Sequence, residues 1–195
     1  NTRSVSELVI GLIISLARKV GYPAVLKIIS PQIVHKSDVG GVKLGLNNDT
    51  DVTIAYKELI ANMEINQPSA TIEGISIQNM ARPGIEVVMG ISKDPQFGHV
   101  LMFGLGGILV ELLKDVSFRI IPIERPDARE MIKEIKAYPV LEGYRGKEPA
   151  NLDILEETLL KLSKFSLENP EVREMDLNPI FAYHDGLITV DARMV

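Results

Sequence analysis

The segment from residue 22 to residue 43 constrains the fold of this chain more than any other. Its first half, Val25–Ile29, is an apolar run that only Lys27 interrupts, which predicts a strand buried on both faces. Burying an unpaired ammonium is costly, so Lys27 either extends past the strand edge or meets an anion. A loop rich in Pro, Ser, Asp and Gly follows and ends at Gly40-Gly41, before a second strand begins at Val42.

The residue types in this strand-loop-strand segment suit phosphate chemistry. Lysine and free backbone N–H groups bind phosphate, and a histidine such as His35 can carry a phosphoryl group. Glycine also lets the backbone adopt positive φ and approach a ligand closely. Taken alone, however, a Gly-Gly pair is more often a plain turn, and a lone loop histidine is more often a polar surface residue.

Composition limits the classes of function. With 195 residues, 46% of them hydrophobic, the chain suits one large domain or two small lobes. A net charge of -5 argues against nucleic acid as a partner, and the absence of cysteine excludes disulfides, thiolate metal sites and a cysteine nucleophile.

The apolar stretch Leu8–Ala17 is too short to cross a membrane and is predicted to form a buried helix. Ser4 and Glu7 have the spacing of a capping box, and Gly21 is predicted to end the helix. The expected location is the cytoplasm.

Hydrophobic periodicity predicts alternating helices and strands over the rest of the chain. Strands 72–80 and 85–91 flank Arg82-Pro83-Gly84, which predicts a hairpin. Strand 99–103 leads into Gly104-Leu-Gly-Gly107 and a possible helix over 108–114, but these glycines do not form the G-x-G-x-x-G pattern of a dinucleotide site. Further helices are predicted over 49–65, 126–136 and 151–167, and a further strand over 117–123.

The C-terminal segment carries a second chemical signal. Two strands joined by Asp185-Gly186 form a hairpin that brings Asn178 and Asp191 towards the same end. Period-2 alternation places Glu174, Asp176 and Asn178 on one strand face. Oxygen-bearing side chains in this arrangement suit Mg²⁺, which normally keeps several waters, although an acidic strand face can also simply point at solvent.

Together these segments resemble the ATP-grasp domain in the beta subunits of ADP-forming acetyl-CoA synthetases, which are relatives of succinyl-CoA synthetase. The resemblance covers nearly the whole chain and implies an α/β (α+β) ATP-grasp fold, with two lobes, approximately 1–80 and 81–195, clasping a nucleotide. Its marks, in family order, are Gly21–Lys27, His35–Val42, Pro83–Val87, Phe97–Val100, Phe103–Gly107, Val116–Arg119, Gly143–Gly146, Glu174–Pro179 and Asp191–Arg193. The family usually has a further helix and strand before the position of Asn1, so an N-terminal edge is expected to be missing.

The resemblance also assigns roles to individual residues around ATP or ADP and Mg²⁺. The phosphates would lie under Lys27 and the Gly40-Gly41 loop, the adenine near Gln78, Asn79 and Met80, the ribose or metal end near Glu86, and Mg²⁺ on Asn178 and Asp191.

The family's reaction is acyl-CoA + ADP + phosphate ⇌ carboxylic acid + CoA + ATP. A separate CoA-binding alpha subunit forms the acyl phosphate and takes the phosphoryl group on its own histidine. In the acetate branch a beta-subunit histidine relays this group to ADP, and His35 occupies that position; Asp176 is the candidate carboxylate for its other ring nitrogen. The resemblance thus implies an acid-CoA ligase that is active with an alpha subunit, as an alpha2-beta2 heterotetramer, with neither a membrane nor nucleic acid as partner.

Two alternatives remain open at this point. A succinate-type ligase needs no beta-subunit histidine, and the sequence His35-Lys36-Ser37-Asp38 argues against it. A nucleotide-sensing module of a synthetase-like acetyltransferase would need the metal pair but not the histidine, so the combination of His35 and Asp176 with that pair favours catalysis.

Overall fold

The structure is a computed structural model that describes residues 2–33, 36–107, 114–146 and 148–195. The chain divides into two compact units, an N-terminal unit ending at Met80 and a C-terminal unit beginning at Ala81. The N-terminal unit contains α1 (Thr2–Val20), β1 (Ala24–Ile29), β2 (Val42–Leu46), α2 (Asp49–Asn66) and β3 (Gly74–Asn79). The C-terminal unit contains β4 (Ile85–Asp94), β5 (Gly98–Leu105), β6 (Val116–Ile120), α3 (Arg125–Glu134), α4 (Tyr138–Leu141), α5 (Leu152–Glu168), β7 (Glu174–Ala182), β8 (Leu187–Thr189) and β9 (Ala192–Met194).

The N-terminal unit is a three-stranded antiparallel sheet in the order β2-β1-β3, packed against α1 and α2. Alternation along β1 buries Leu26 and Ile28 in a core shared with Val52 and Leu59 of α2. Helix α2 begins where the Asn48 side chain accepts a hydrogen bond from the N–H of Asp51, which is an ordinary N-cap. One face of the sheet is therefore covered by α1 and α2, and the other face points away from these helices.

The C-terminal unit is a larger antiparallel sheet in the order β6-β5-β4-β7-β8, with β9 also paired to β7. One face packs against α3 and α5 through a core that includes Met89, Leu101, Phe103, Met131 and Leu159. We call the other face, which points away from these two helices, the open face. The alternation of β4 and β7 therefore decides which of their polar side chains reach the open face.

Two local predictions were wrong. The hairpin expected between β3 and β4 does not form, since β3 pairs with β1 and β4 pairs with β5 and β7. Each strand joins the hydrophobic core of its own unit, and the linker at Arg82-Pro83-Gly84 follows the boundary between the units. Helix α1 begins at Thr2, before the predicted cap at Ser4. The predicted end of the helix at Gly21 is confirmed. Gly21 has φ +95°, and its N–H donates a hydrogen bond of 2.9 Å to the Ala17 carbonyl.

The helix expected over 108–114 falls mostly on residues 108–113, which lie outside the described residues. Across the described ranges, no helix is both long enough and apolar enough to cross a membrane.

A buried carboxylate joins α3 to α5. The Glu156 side chain is 4% exposed and accepts hydrogen bonds from Arg129 Nε at 2.7 Å and Arg125 Nη1 at 3.3 Å. The Arg129 hydrogen bond is the main reason that the pKa of Glu156 lies below its ordinary value, and Arg125 adds to it while burial opposes it. A carboxylate with a lowered pKa stabilises the fold above its ordinary pKa, and this stabilisation is lost as pH falls through the lowered value.

We expect Glu156→Gln to lower the free energy of unfolding by about 2 kcal/mol near pH 7, because the amide leaves two arginines without their anion. The difference between variant and wild type should shrink as the pH falls below about 4. Urea unfolding followed by circular dichroism at both pH values measures it, with Glu130→Gln as the control because Glu130 is 73% exposed and lies 3.8 Å from Arg119. A constant difference at both pH values would contradict a charge-based role.

Candidate nucleotide and metal site

In the N-terminal unit, two of the candidate phosphate and adenine residues, Lys27 and Gln78, lie on the sheet face away from the helices. Lys27 is half-buried and alternates with the core residues Leu26 and Ile28, so it points to the opposite face. Val25 shares that face, and its register partner on β3 is Gln78. Lys27 and Gln78 therefore share one face of the sheet, because directly opposed residues of antiparallel strands point the same way.

The end of β3 is tied to the turn that precedes β1. The N–H of Met80 donates to the Pro23 carbonyl at 2.8 Å, and Asn79 Nδ2 donates to the Val20 carbonyl at 3.4 Å. The three candidate adenine residues thus continue the edge strand β3 to its end, where Gln78 and Asn79 are exposed. An exposed strand end with a main-chain anchor is a suitable position for contacting a planar base.

The Gly40-Gly41 pair differs from the expected phosphate cradle. The N–H of Gly40 donates to the Ser37 carbonyl at 3.1 Å and the N–H of Gly41 to the Lys36 carbonyl at 2.7 Å, so neither is available to a phosphate in this conformation. Packing explains why glycine is required here. A Cβ on Gly40 would lie 2.7 Å from Asn62 Nδ2, and one on Gly41 would lie 2.8 Å from the Ile28 side chain. Gly40 also has φ +71°.

His35, the candidate phosphoryl carrier, lies outside the described residues together with Val34.

In the C-terminal unit, the two candidate metal ligands are neighbours. The N–H of Asn178 donates to the Asp191 carbonyl at 3.2 Å, where β9 begins to pair with β7. The sequence prediction that the hairpin brings these two residues together is confirmed as a matter of geometry. This hydrogen bond fixes the main chain of both residues within the sheet.

The face assigned to the oxygen-bearing side chains also agrees with the structure. Met175 and Leu177 pack against the core, so Glu174, Asp176 and Asn178 alternate onto the open face. Arg193 Nη1 lies 3.8 Å from Glu174 Oε1, a distance at which an exposed pair contributes little to stability.

Glu86 reaches the same open face, because it precedes the core residue Val87 on β4. The Gly106-Gly107 pair lies directly against it. The N–H of Gly106 donates to the Glu86 carbonyl at 2.7 Å, and a Cβ on Gly107 would lie 3.0 Å from Glu86 Oε2. Gly107 also has φ +69°, a backbone conformation in which a residue with a side chain would be strained.

The sequence reasoning tested these glycines as a dinucleotide fingerprint and counted them among the marks of the resemblance, but it missed their contact with Glu86. The signal available was the glycine cluster directly after a strand, which indicates a close backbone approach without naming the residue approached.

The donor set on the open face fits a hard cation. Asn178 and Asp191 offer an amide oxygen and a carboxylate, which Mg²⁺ accepts while keeping waters and substrate phosphates as its other ligands. Among the residues that the structure describes, no group of three or more His, Cys, Asp and Glu side chains could hold a metal by itself. A cation held by Asn178 and Asp191 would need further oxygen ligands from water or from a phosphorylated substrate.

The other two histidines have structural partners. His99 Nε2 lies 2.8 Å from the Val172 carbonyl, and His184 Nδ1 lies 2.9 Å from Glu148 Oε2 at an exposed turn. Both fit the expectation that they are weaker candidates than His35 for carrying a phosphoryl group.

Comparison with known proteins places this architecture in a family. Residues 12–195 match the family model described as an ATP-grasp domain. The chain belongs to the ATP-grasp family, as its resemblance had implied.

Relatives within the family are named as acetate-CoA ligases. The chain is 50% identical over 182 residues to the beta subunit of acetate-CoA ligase [ADP-forming] I of Pyrococcus furiosus, covering 93% of this chain and 78% of the relative. It is 52% identical over 180 residues to acetate-CoA ligase [ADP-forming] I of Archaeoglobus fulgidus, covering 92% of this chain but only 26% of that longer protein. Within the ATP-grasp family it is thus a nucleotide-binding unit of the type found in ADP-forming acetyl-CoA synthetases.

A solved structure supports the same placement. The dinucleotide-forming acetyl-coenzyme A synthetase 1 of Candidatus Korarchaeum cryptofilum, in complex with coenzyme A and Ca-AMPCP, superimposes with a TM-score of 0.93 at 49% identity. The match covers 95% of this chain and 81% of that chain. The α/β ATP-grasp fold expected from the sequence is confirmed.

Proposed function

We propose that this chain is the nucleotide-binding subunit of an ADP-forming acyl-CoA ligase whose acid is acetate. The observation that carries the proposal is the main-chain pairing of Asn178 with Asp191 on the open face that also bears Glu86. Oxygen donors fixed beside an ATP-grasp sheet suit an Mg²⁺-nucleotide. The identity of 50% to a beta subunit of an acetate-CoA ligase supports the choice of reaction.

In this proposal the chain performs the last phosphoryl transfer of acyl-CoA + ADP + phosphate ⇌ carboxylic acid + CoA + ATP. The phosphoryl group arrives from a histidine on a CoA-binding partner and is taken by His35. The P–N bond to His35 then breaks as a bond forms between phosphorus and the terminal phosphate oxygen of ADP. The nitrogen that carried the phosphoryl group keeps the electron pair of the broken bond, and the other ring nitrogen keeps its proton, so the products are ATP and a neutral imidazole.

The roles of the other residues follow from charge. Asp176 would hold the second ring nitrogen of His35 and stabilise the charged phosphohistidine. Lys27 would place a positive charge at the phosphates, where catalysis is mostly positioning and electrostatics. Mg²⁺, held by Asn178 and Asp191, would neutralise further phosphate charge. The Gly40-Gly41 segment would have to change its internal hydrogen bonds before its N–H groups could contribute.

The proposal includes a partner, because no residue of this sequence suggested a CoA pocket or an acyl-phosphate site. That partner is a CoA-binding alpha subunit with its own phosphohistidine, in an alpha2-beta2 heterotetramer in the cytoplasm. The beta-subunit name of the Pyrococcus relative supports a separate partner chain.

Reconstitution tests the proposed function. The purified protein is mixed with the CoA-binding subunit, acetyl-CoA, ADP, phosphate and Mg²⁺, and ATP and free CoA are measured together. We expect one ATP for each CoA released, and no ATP when the partner, phosphate or Mg²⁺ is omitted. Binding of Mg-ADP without any turnover would instead indicate a nucleotide sensor, and turnover with succinyl-CoA in preference to acetyl-CoA would indicate a succinate-type ligase.

A further inference from the structure

Residues 82–84 are held on the hairpin between β7 and β8 by contacts that neither the sequence nor the family comparison had singled out. The Arg82 guanidinium lies 4.1 Å from the centroid of the Tyr183 ring and also pairs with the Asp185 carboxylate. The Tyr183 hydroxyl donates a hydrogen bond of 2.7 Å to the Arg82 carbonyl. One tyrosine thus binds both the side chain and the main chain of the same residue.

Gly84 makes this close approach possible. A Cβ on Gly84 would lie 2.6 Å from Tyr183 Cε1, so the chain runs flat against the aromatic ring. The close contact leaves no room for any larger residue unless the ring moves.

Tyr183 is itself anchored to the rest of the C-terminal unit. It is 8% exposed, its N–H donates to the Gly186 carbonyl at 2.8 Å, and its carbonyl accepts from the N–H of Asn151 at 2.8 Å. Burial raises the pKa of Tyr183 further above neutral pH, so the hydroxyl is protonated and able to donate. The ring is therefore a fixed support against which the incoming chain is placed.

The anchored segment leads directly into Glu86. Ile85 pairs with Ala182 and Glu86 with Phe181, so β4 begins immediately after the contacts with Tyr183. Directly after β5, the N–H of Gly106 donates a hydrogen bond to the Glu86 carbonyl. The main chain of Glu86 is consequently fixed by Gly106, directly after β5, and by the contacts of Tyr183 with Arg82 and Gly84 earlier in the chain.

We propose that Tyr183 and Arg82 are positioning residues for nucleotide binding, because they set the backbone from which Glu86 extends. This inference rests on the proposed function, in which Glu86 lies at the ribose or metal end of the nucleotide. The ion pair has little value for global stability, since both the Arg82 and Asp185 side chains are 53% exposed. Its effect is local, on the placement of residues 82–86.

The test uses Tyr183→Phe and Arg82→Gln, with Tyr138→Phe as the matched control. Tyr183→Phe keeps the ring and removes only the hydroxyl that bonds the Arg82 carbonyl. Tyr138 is another partly buried tyrosine of the C-terminal unit, on α4, whose hydroxyl interacts with Glu142. The two tyrosine variants lose the same group, and only one of them lies beside the segment that leads to Glu86.

Two measurements separate positioning from stability. Calorimetric titration should give a Kd for Mg-ADP that is roughly fivefold higher in Tyr183→Phe, as expected for one lost hydrogen bond. Hydrogen exchange without nucleotide should show faster exchange of the Ile85 and Glu86 amides in both Tyr183→Phe and Arg82→Gln. In Arg82→Gln the Tm should stay within about 2 °C of wild type. Tyr138→Phe should change neither the exchange of these amides nor the Kd.

The results distinguish two kinds of failure. Unchanged exchange and an unchanged Kd in both Tyr183→Phe and Arg82→Gln, with wild type binding Mg-ADP normally, would overturn the positioning role alone. A wild-type protein that binds no Mg-nucleotide would overturn the proposed function and, with it, a role for Tyr183 in nucleotide binding. In the reconstituted enzyme, a positioning role also requires that KM for ADP rises while kcat stays nearly unchanged.

Discussion

Replacing His35 with alanine is expected to abolish phosphoryl relay, lowering ATP synthesis in the reconstituted enzyme by a factor on the order of a thousand or more. The effect is this large because a covalent carrier has no partial substitute. The other two histidines are unsuitable replacements: His99 Nε2 lies 2.8 Å from the Val172 carbonyl, and His184 pairs with Glu148 at 2.9 Å. Alanine also removes the nucleophilic nitrogen without adding a group that could accept phosphate.

Acid-labile phosphate measures this relay directly. The purified protein is incubated with ATP labelled in the γ-phosphate and Mg²⁺, and the protein-bound label is followed through acid and alkali treatment. We expect label in wild type, none in His35→Ala, and undiminished label in His184→Gln, which removes an exposed histidine of the same type. Asp176→Ala should retain a reduced amount, because an imidazole without a carboxylate partner can still react but is less well oriented.

Two results would count against His35 as the carrier. Full ATP synthesis by the His35→Ala complex would show that the group passes directly from the partner to ADP, as in the succinate-type alternative. Label that persists in His35→Ala would place the phosphoryl group on another residue.

The arrangement around Asn178 and Asp191 could be predicted because the information is local. The alternation of residues 174–178 separates apolar from oxygen-bearing side chains, and the Asp-Gly turn fixes which strands return. The hydrogen bond between Asn178 and Asp191 follows from that hairpin geometry. Core positions of α2 are similar, since Val52, Ala55, Leu59 and Met63 are buried at the spacing that a helix imposes.

Contacts between distant parts of the chain could not be predicted in the same way. Arg82 and Tyr183 are 101 residues apart, and nothing in either local sequence indicates the other. The separation of β3 from β4 has the same origin: alternating strands around a Pro-Gly turn suggest a hairpin, but each strand gains more by joining a separate core. The Gly40-Gly41 pair shows a third case, in which the glycines were noticed but their packing against Ile28 and Asn62 depends on the folded structure.

The second large effect is expected for Asp191→Ala, which should weaken Mg-ADP binding by about a hundredfold. The variant removes the only carboxylate of the Asn178–Asp191 pair. It leaves the main-chain bond from the Asn178 N–H to the Asp191 carbonyl in place, so the hairpin is retained. Asn178→Ala should act in the same direction but less strongly, because an amide oxygen is a weaker ligand for Mg²⁺ than a charged carboxylate.

To test this prediction, each protein is titrated with ADP once in the presence of Mg²⁺ and once in the presence of a chelator. The quantity compared is the ratio of the two affinities for ADP. The ratio should be large in wild type, near one in Asp191→Ala, and unchanged in Glu168→Gln, whose carboxylate is 61% exposed on α5. The competing interpretation, that these residues form an acidic face open to water, predicts the opposite sign. Removing a negative charge from such a face would slightly strengthen the binding of anionic ADP, with or without metal. A gain in affinity in Asp191→Ala would therefore refute the metal site, whereas a loss confined to the Mg²⁺ titration requires the carboxylate to act through the cation.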